Sequence, residues 1–309
     1  MIKKSSLKRI MLATLVLLIL LIVYLFPKNN IINENLSYIK KEEMPIFLMD
    51  HLDYVARTTI VKDNNTTYDL VDEIIDSLTI DSKKSNYIKE GFKSIIPKNT
   101  KILDKKIDNG ILYINFSKEL LNVSLKNEEK MLEAIIYSLL ELKELKGIII
   151  LVENNILKEL PNSHKKLPAI LDKNYGINKL YDLYSLKNIS KTTVYYLSKN
   201  NNNYYYIPVT KINNNNEEKI EIIIKELKST PIYNTNLISY LEASTNLTSY
   251  ELLANSIELS FDNYLLANLK NEDILEEIKY CIALSVRDNY DIYETVFNSN
   301  ELNNIHLKI

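Results

Sequence analysis

The feature that most constrains this fold is an internal repeat. Residues 96–121, IPKNTKILDKKIDNGILYINFSKELL, moved forward by 145 positions, land on residues 241–266, LEASTNLTSYELLANSIELSFDNYLL. Thr100 falls on Thr245, Ile102 on Leu247, Ile114 on Leu259, Phe116 on Phe261 and Leu120-Leu121 on Leu265-Leu266. Self-similarity at this spacing means two related units rather than one large core. In the first copy, Asn109-Gly110 between two apolar runs predicts a hairpin with a type I′ turn, because both central residues tolerate positive φ. Counting outward pairs Asp108 with Ile111, Ile107 with Leu112, Lys105 with Ile114 and Leu103 with Phe116. One face then collects Leu103, Ile107, Leu112, Ile114 and Phe116, interrupted only by Lys105; the other is mixed, as for a sheet covered on one side. The second copy answers with Thr248, Leu252, Ile257, Leu259 and Phe261, with Tyr250 in place of Lys105 and the poorer turn pair Ala254-Asn255.

The flanks repeat at slightly different offsets. Val71, Ile74, Ile75 and Leu78 have helical spacing behind Thr66 or Thr67 as cap and, at an offset of 149, meet Ile220, Ile223, Ile224 and Leu227. Met131, Leu132, Ile135 and Leu139 follow Asn127 and match Ile274, Leu275, Ile278 and Ile282 at an offset of 143. Gly147 then stops the helix and IIILVEN reads as a buried strand, with Ile292 to Phe297 in the equivalent place. Strand pairs precede the first helices: MPIFLMD with YVARTTIVK, and TTVYYLSK with YYYIPVTKI joined by Asn200 to Asn203. Pro208 predicts an edge strand. Residues 161–190, with Pro168 and Gly176 and no clean period, read as a packed connector. The expected fold class is α+β: two tandem small domains of sheet plus helices, residues 44–160 and 191–309.

Residues 1–27 differ in kind. Lys3, Lys4, Lys8 and Arg9 precede an uncharged apolar run from Ile10 to Phe26. That run is at the short end of a bilayer span and longer than a signal-peptide core, and no small-x-small cleavage site follows Pro27, Lys28, Asn29 and Asn30. The expectation is a retained single-pass transmembrane helix, cytoplasmic at its N-terminus by the positive-inside tendency, a linker over 28–43, and the bulk of the chain extracytoplasmic.

Composition narrows the function classes. A formal net charge of -2 offers no basic stripe for nucleic acid. Gly91, Gly110, Gly147 and Gly176 are too scattered for a Rossmann fingerprint or a P-loop, Cys281 is alone, and His51, His164 and His306 have no metal-ligand spacing. No catalytic, cofactor-binding or metal residues are assigned, no cofactor is expected, and the chain is not expected to be an enzyme.

Gly91, Ile96-Pro97-Lys98-Asn99-Thr100, the turn Gly110 and Ile114-Asn115-Phe116-Ser117 resemble the GerMN family, a sporulation and germination domain that occurs in tandem. Asn99 stands where the family pattern has Gly, and Asn115 where it has Asp; in the second copy only Thr245 and Phe261 hold. The resemblance implies an extracytoplasmic scaffold without catalytic residues, similar to the ring-building domains of the apparatus linking mother cell and forespore. Its partners would be the membrane, through the N-terminal helix, and other envelope proteins or copies of itself, in sporulation or germination. Because the domain also occurs in lipoproteins that assist sensor kinases, the alternative is an extracytoplasmic protein that binds ligand or peptidoglycan or serves a sensor kinase.

Several residues admit two readings. Tyr195, Tyr196 and Tyr204 to Tyr206 are either an aromatic platform for a glycan or peptide, or ordinary strand residues. Cys281, aligned with Ser138, is either a redox handle or a small half-buried core residue. The Asn runs at 200–203 and 213–216 are expected at loop tips. Glu128, Glu129 and Glu133, with Glu272, Glu276 and Glu277, open the second helices, where the dipole favours them.

Overall fold

The computed structural model describes residues 4–25, 42–201, 203–214, 216–229, 236–262, 275–299 and 305–309. They belong to two compact units, Met1–Lys40 and Lys41–Ile309. In the first, α1 spans Lys4–Leu25, and its described side chains, Lys8 and Met11–Leu21, are exposed. Among the described residues no helix is long and apolar enough to cross a membrane. Phe26 and the expected linker up to residue 41 lie outside them.

The second unit holds both repeats. The first comprises β1 (Glu43–Asp50), β2 (Val55–Val61), α2 (Thr67–Leu78), β3 (Phe92–Lys93), β4 (Ile102–Asp108), β5 (Ile111–Phe116), α3 (Glu128–Leu139), β6 (Gly147–Val152) and β7 (Asn155–Ile156). The connector contributes β8 (Leu180–Asp182). The second repeat comprises β9 (Ser190–Asn200), β10 (Asn203–Asn213), α4 (Lys219–Leu227), β11 (Leu247–Leu252), β12 (Ser256–Phe261), α5 (Glu276–Tyr290), β13 (Glu294–Ser299) and β14 (Ile305–Lys308).

Each hairpin continues through a helical crossover into a parallel strand. The sheet orders are β4-β5-β6-β7 and β11-β12-β13-β14. The parallel registers coincide: Ile111 faces Gly147 as Ser256 faces Glu294. The strand pairs behave differently from the expectation of one small sheet per copy. They lie side by side in a single six-stranded sheet of order β3-β1-β2-β10-β8, with β9 on β10.

The helices form for the reasons read from the spacing. Val71, Ile74, Ile75 and Leu78 make one buried stripe on α2, and Thr66 caps it by accepting from the Asp69 N–H at 3.2 Å. Ile220, Ile223, Ile224 and Leu227 repeat that stripe on α4.

The hairpins depart from the expected register at one point. Asn109 and Gly110 take φ of 51° and 80°, as a type I′ turn requires, and pairing runs regularly from Asp108–Ile111 to Lys105–Ile114. Leu103 then bulges out, so that Ile102, not Leu103, faces Phe116. The second copy bulges at Thr248, the residue 145 positions on, and pairs Leu247 with Phe261. The shared bulge bends both outer strands and blunts their free edges. Lys105, the one charge on the inward face, lies with its ammonium 5.9 Å from the Tyr68 ring centroid, donates to the Tyr68 carbonyl at 2.7 Å and pairs with Asp72.

The alignment of the second helices also needs correction. In the first copy the Phe47 N–H of β1 donates to Ser138 Oγ at 2.9 Å; in the second the Tyr195 N–H of β9 donates to Ser285 Oγ at 2.9 Å. Ser285, not Cys281, is therefore the counterpart of Ser138, and the true offset is 147, that of Gly147 to Glu294. The expected offset of 143 is one turn short, and an amphipathic stripe looks alike after a slip of four residues. Ile274, Glu272 and Leu265-Leu266 lie outside the described residues. Cys281 is fully buried among apolar side chains, which pushes its thiol well above the ordinary range.

Candidate functional site: the joint between the repeats

The joint starts from a shortage of backbone partners. β2 and β10 pair at a single position, Arg57 with Tyr206. Beside it the ladder is completed by one side chain. Asn178 Oδ1 accepts from the Val55 N–H at 3.0 Å, and its Nδ2 donates to the carbonyls of Val55 and Pro208, each at 2.8 Å. Pro208 thus lies in a strand flanked on both sides, contrary to the expected edge position. Its carbonyl points at Asn178, and a strand residue's N–H points the same way, so the missing donor faces the place where the ladder is already interrupted. The connector finishes the sheet: β8 pairs in parallel with Lys211–Asn213, and the Thr210 N–H donates to the Ile177 carbonyl at 2.8 Å.

Helix α3 holds that connector. Glu128 accepts from the N–H groups of Asn162 and Ser163 at 2.8 and 2.9 Å. Glu133 accepts from the Asn178 N–H at 2.9 Å and pairs with Lys179 at 2.6 Å. Both carboxylates are buried, so beyond any dipole effect they pin the segment that carries Asn178. Burial pushes Glu133 above the usual carboxylate range despite Lys179.

Across the joint lies a buried ionic network. Arg287 of α5 makes a bidentate pair with Glu141, at 2.9 and 2.7 Å, and both side chains are 5% exposed. Asp288, fully buried, takes Lys173 at 2.6 Å, the Arg287 Nε–H at 3.1 Å and the Tyr195 hydroxyl. Arg57 approaches Glu141 at 3.6 Å, while its Nε is buried without a hydrogen-bond partner among the described residues. Burial would raise the Asp288 carboxyl, but Lys173 and Arg287 hold it far below the usual range. Arg57, Glu141 and Lys173 lie before the second repeat and Tyr195, Arg287 and Asp288 within it, so the charges are shared across the joint. The apolar cores interleave as well: Tyr195 and Leu284 pack in the first, Ala56 in the second.

The sequence motifs divide between core and surface. Tyr195 and Tyr196 are fully buried and belong to no platform. Tyr205 is buried with its hydroxyl on Asp50 Oδ2 at 2.8 Å, Tyr206 packs against Tyr280 with centroids 6.0 Å apart, and Tyr204 is exposed and bonded to Tyr240. At the β9–β10 tip, Asn200 Nδ2 donates to the Glu90 carbonyl at 3.1 Å and lies where a Cβ on Gly91 would be. A cleft of about 550 Å³ opens there, lined by Arg57, Thr58, Lys89, Phe92, Asn200 and Tyr204–Tyr206 among others. Two shallow grooves of about 520 and 570 Å³ occupy equivalent places between α2 and β4 and between α4 and β11. His51, His164 and His306 do not converge, and among the described residues no three His, Cys, Asp or Glu side chains are placed to hold a metal.

Residues 38–158 match the family model Germane, described as sporulation and spore germination. The fold of the tandem GerMN domains of the sporulation protein GerM from Bacillus subtilis superposes with a TM-score of 0.78, over 87% of this chain and 96% of that one, at 22% identity. The chain has the fold of tandem GerMN domains. The first GerMN domain of GerM alone covers 43% of this chain at 19% identity, with a TM-score of 0.41. No curated protein matches. The family model reaches only the first repeat, where two residues depart from the family pattern. Asn99, at the family's Gly position, takes φ of 65°, which Asn tolerates best among residues with a Cβ. Asn115, at the Asp position, accepts from the Asn154 N–H at 2.9 Å and donates to its side chain at 2.8 Å. In this chain Asn99 and Asn115 thus both serve backbone turns, one before the hairpin and one after β6. Asn178, Glu141, Arg287 and Asp288 carry no local signal in the sequence, because their partners are distant along the chain.

Proposed function

We propose that this protein is a non-catalytic, membrane-anchored extracytoplasmic scaffold acting in the assembly of sporulation or germination complexes. The observation that carries this reading is the joint. Its buried charges are spent on one another, which suits a body that holds two GerMN domains at a fixed angle and presents them to partners. The apolar run that opens the chain supports membrane anchoring, with the amino end in the cytoplasm. The family description supports the sporulation context. The outer edge of β1 is occupied by β3 and by Ser138 of α3, and that of β9 by a bridge from Leu197 to Ile238 and by Ser285 and Asn289 of α5, the last accepting from the Thr193 N–H at 3.1 Å. Contacts are therefore expected through the hairpin faces, the two equivalent grooves and the connector rather than by extending the central sheet.

The test is affinity capture of the full-length protein from native membranes after mild crosslinking, sampled through growth and sporulation. Recovery of envelope or sporulation proteins, or of itself, supports the scaffold; a series that yields only monomer removes it.

A second reading, binding of a peptidoglycan fragment or other ligand, is favoured by the cleft, where Phe92, Tyr204, Tyr206 and Asn200 adjoin Arg57. Titration of residues 42–309 with muropeptides decides it, and a flat titration eliminates it.

A further inference from the structure

Between β8 and β9 the chain makes a short loop with an unusual tip. Tyr184 is 86% and Leu186 89% exposed, and Tyr181, Leu183 and Ile189 beside them are exposed as well. The loop is built, not loose. Asn214, itself buried, accepts from the N–H groups of Tyr184 and Ser185 at 3.0 and 3.2 Å and donates to the carbonyls of Ser185 and Lys187 at 3.0 and 2.6 Å. Ser185 Oγ accepts from the Lys187 N–H at 3.1 Å, and Asn188 makes the exit turn with φ of 54°. A buried Asn thus holds the backbone of a loop whose apolar side chains point into water. This clustering of exposed apolar side chains calls for an apolar counterpart.

We propose that this loop is a second membrane contact, with Tyr184 and Leu186 entering the interfacial layer of an anionic bilayer and Lys187 and Lys191 lying against its headgroups. Residues 183–191 carry these two lysines, Lys191 also donating to the Asn174 carbonyl at 2.8 Å, and no acidic residue follows Asp182 in the loop, so the tip is complementary to a negative surface. Tyr beside an aliphatic residue and Lys is the side-chain mixture that settles at a membrane interface. The inference rests on the anchored reading above.

The test uses residues 42–309, which hold both cores within one compact unit. The body should sediment with vesicles of equal parts phosphatidylglycerol and phosphatidylcholine, and less with phosphatidylcholine alone. Y184S/L186S should lower partitioning about tenfold or more, from the loss of two buried apolar side chains. K187E/K191E should remove the preference for anionic vesicles. L186W should shift its emission to the blue on adding them, with circular dichroism unchanged in every variant. The proposal is overturned if the body does not sediment or if Y184S/L186S sediments equally. It is also overturned if the patch instead drives a concentration-dependent dimer that the double variant abolishes. Failure of the anchor would be seen separately, as full-length protein extracted from native membranes by alkaline carbonate while the body still binds vesicles.

Discussion

Arg287 is the side chain on which the joint should depend most, and replacing it with alanine is the sharpest test of the network. Its guanidinium bonds twice to Glu141 and once to Asp288, and all three are essentially out of water. Removing one member of such a pair leaves a buried charge uncompensated, at about 3–5 kcal/mol. Glu141 keeps Arg57 at 3.6 Å and Lys173 at 3.7 Å, and Asp288 keeps Lys173 at 2.6 Å, so the lower end of that range applies. With a urea m-value of 2–3 kcal/mol/M, the unfolding midpoint of residues 42–309 should fall on the order of 1–1.5 M. E141L should cost about as much, whereas E141L/R287A, which removes both charges together, should cost several kcal/mol less than the sum of the single changes. A drop below about 1 kcal/mol for R287A, or a double variant that is simply additive, would refute the argument that these charges act as one unit.

Asn178→Leu strips two carbonyls and one N–H of their partner and should cost on the order of 2–4 kcal/mol by urea unfolding. Gly91→Ala should destabilise by about 1–3 kcal/mol, since Gly91 has φ of 92° and its new Cβ would meet Asn200; adding N200A should recover only part, because the backbone strain remains. The depressed Asp288 carboxyl predicts a pH dependence of definite sign. Its contribution is full above the unfolded value of about 3.9 and is lost as pH falls toward the lower folded value, so D288N should lower stability at pH 7 and flatten the decline below pH 4. Ser285→Ala and Ser138→Ala should each cost about 1 kcal/mol, leaving the Tyr195 or Phe47 N–H unpaired; unequal costs would count against the two contacts being equivalent.

Much of this molecule is written locally. Asn109-Gly110 determined a hairpin by backbone sterics, Val71, Ile74, Ile75 and Leu78 a helix by period, and the offset of 145 a second copy of the hairpin unit. Those signals are properties of a few neighbouring residues, so they survive without knowledge of the fold. Where a signal was periodic it was also ambiguous: the second helix of the second copy could slide by one turn without disturbing its stripe, and only the bond from Tyr195 to Ser285 decides the offset. The bulges at Leu103 and Thr248 escaped because alternation marks faces and not the point where pairing slips. The union of the two strand pairs in one sheet was decided by tertiary structure alone. It depends on Asn178 meeting Val55 across 123 positions and on Arg287 meeting Glu141 across 146. No periodicity encodes such contacts, because a buried polar group is specified by whichever partner the folded chain brings to it.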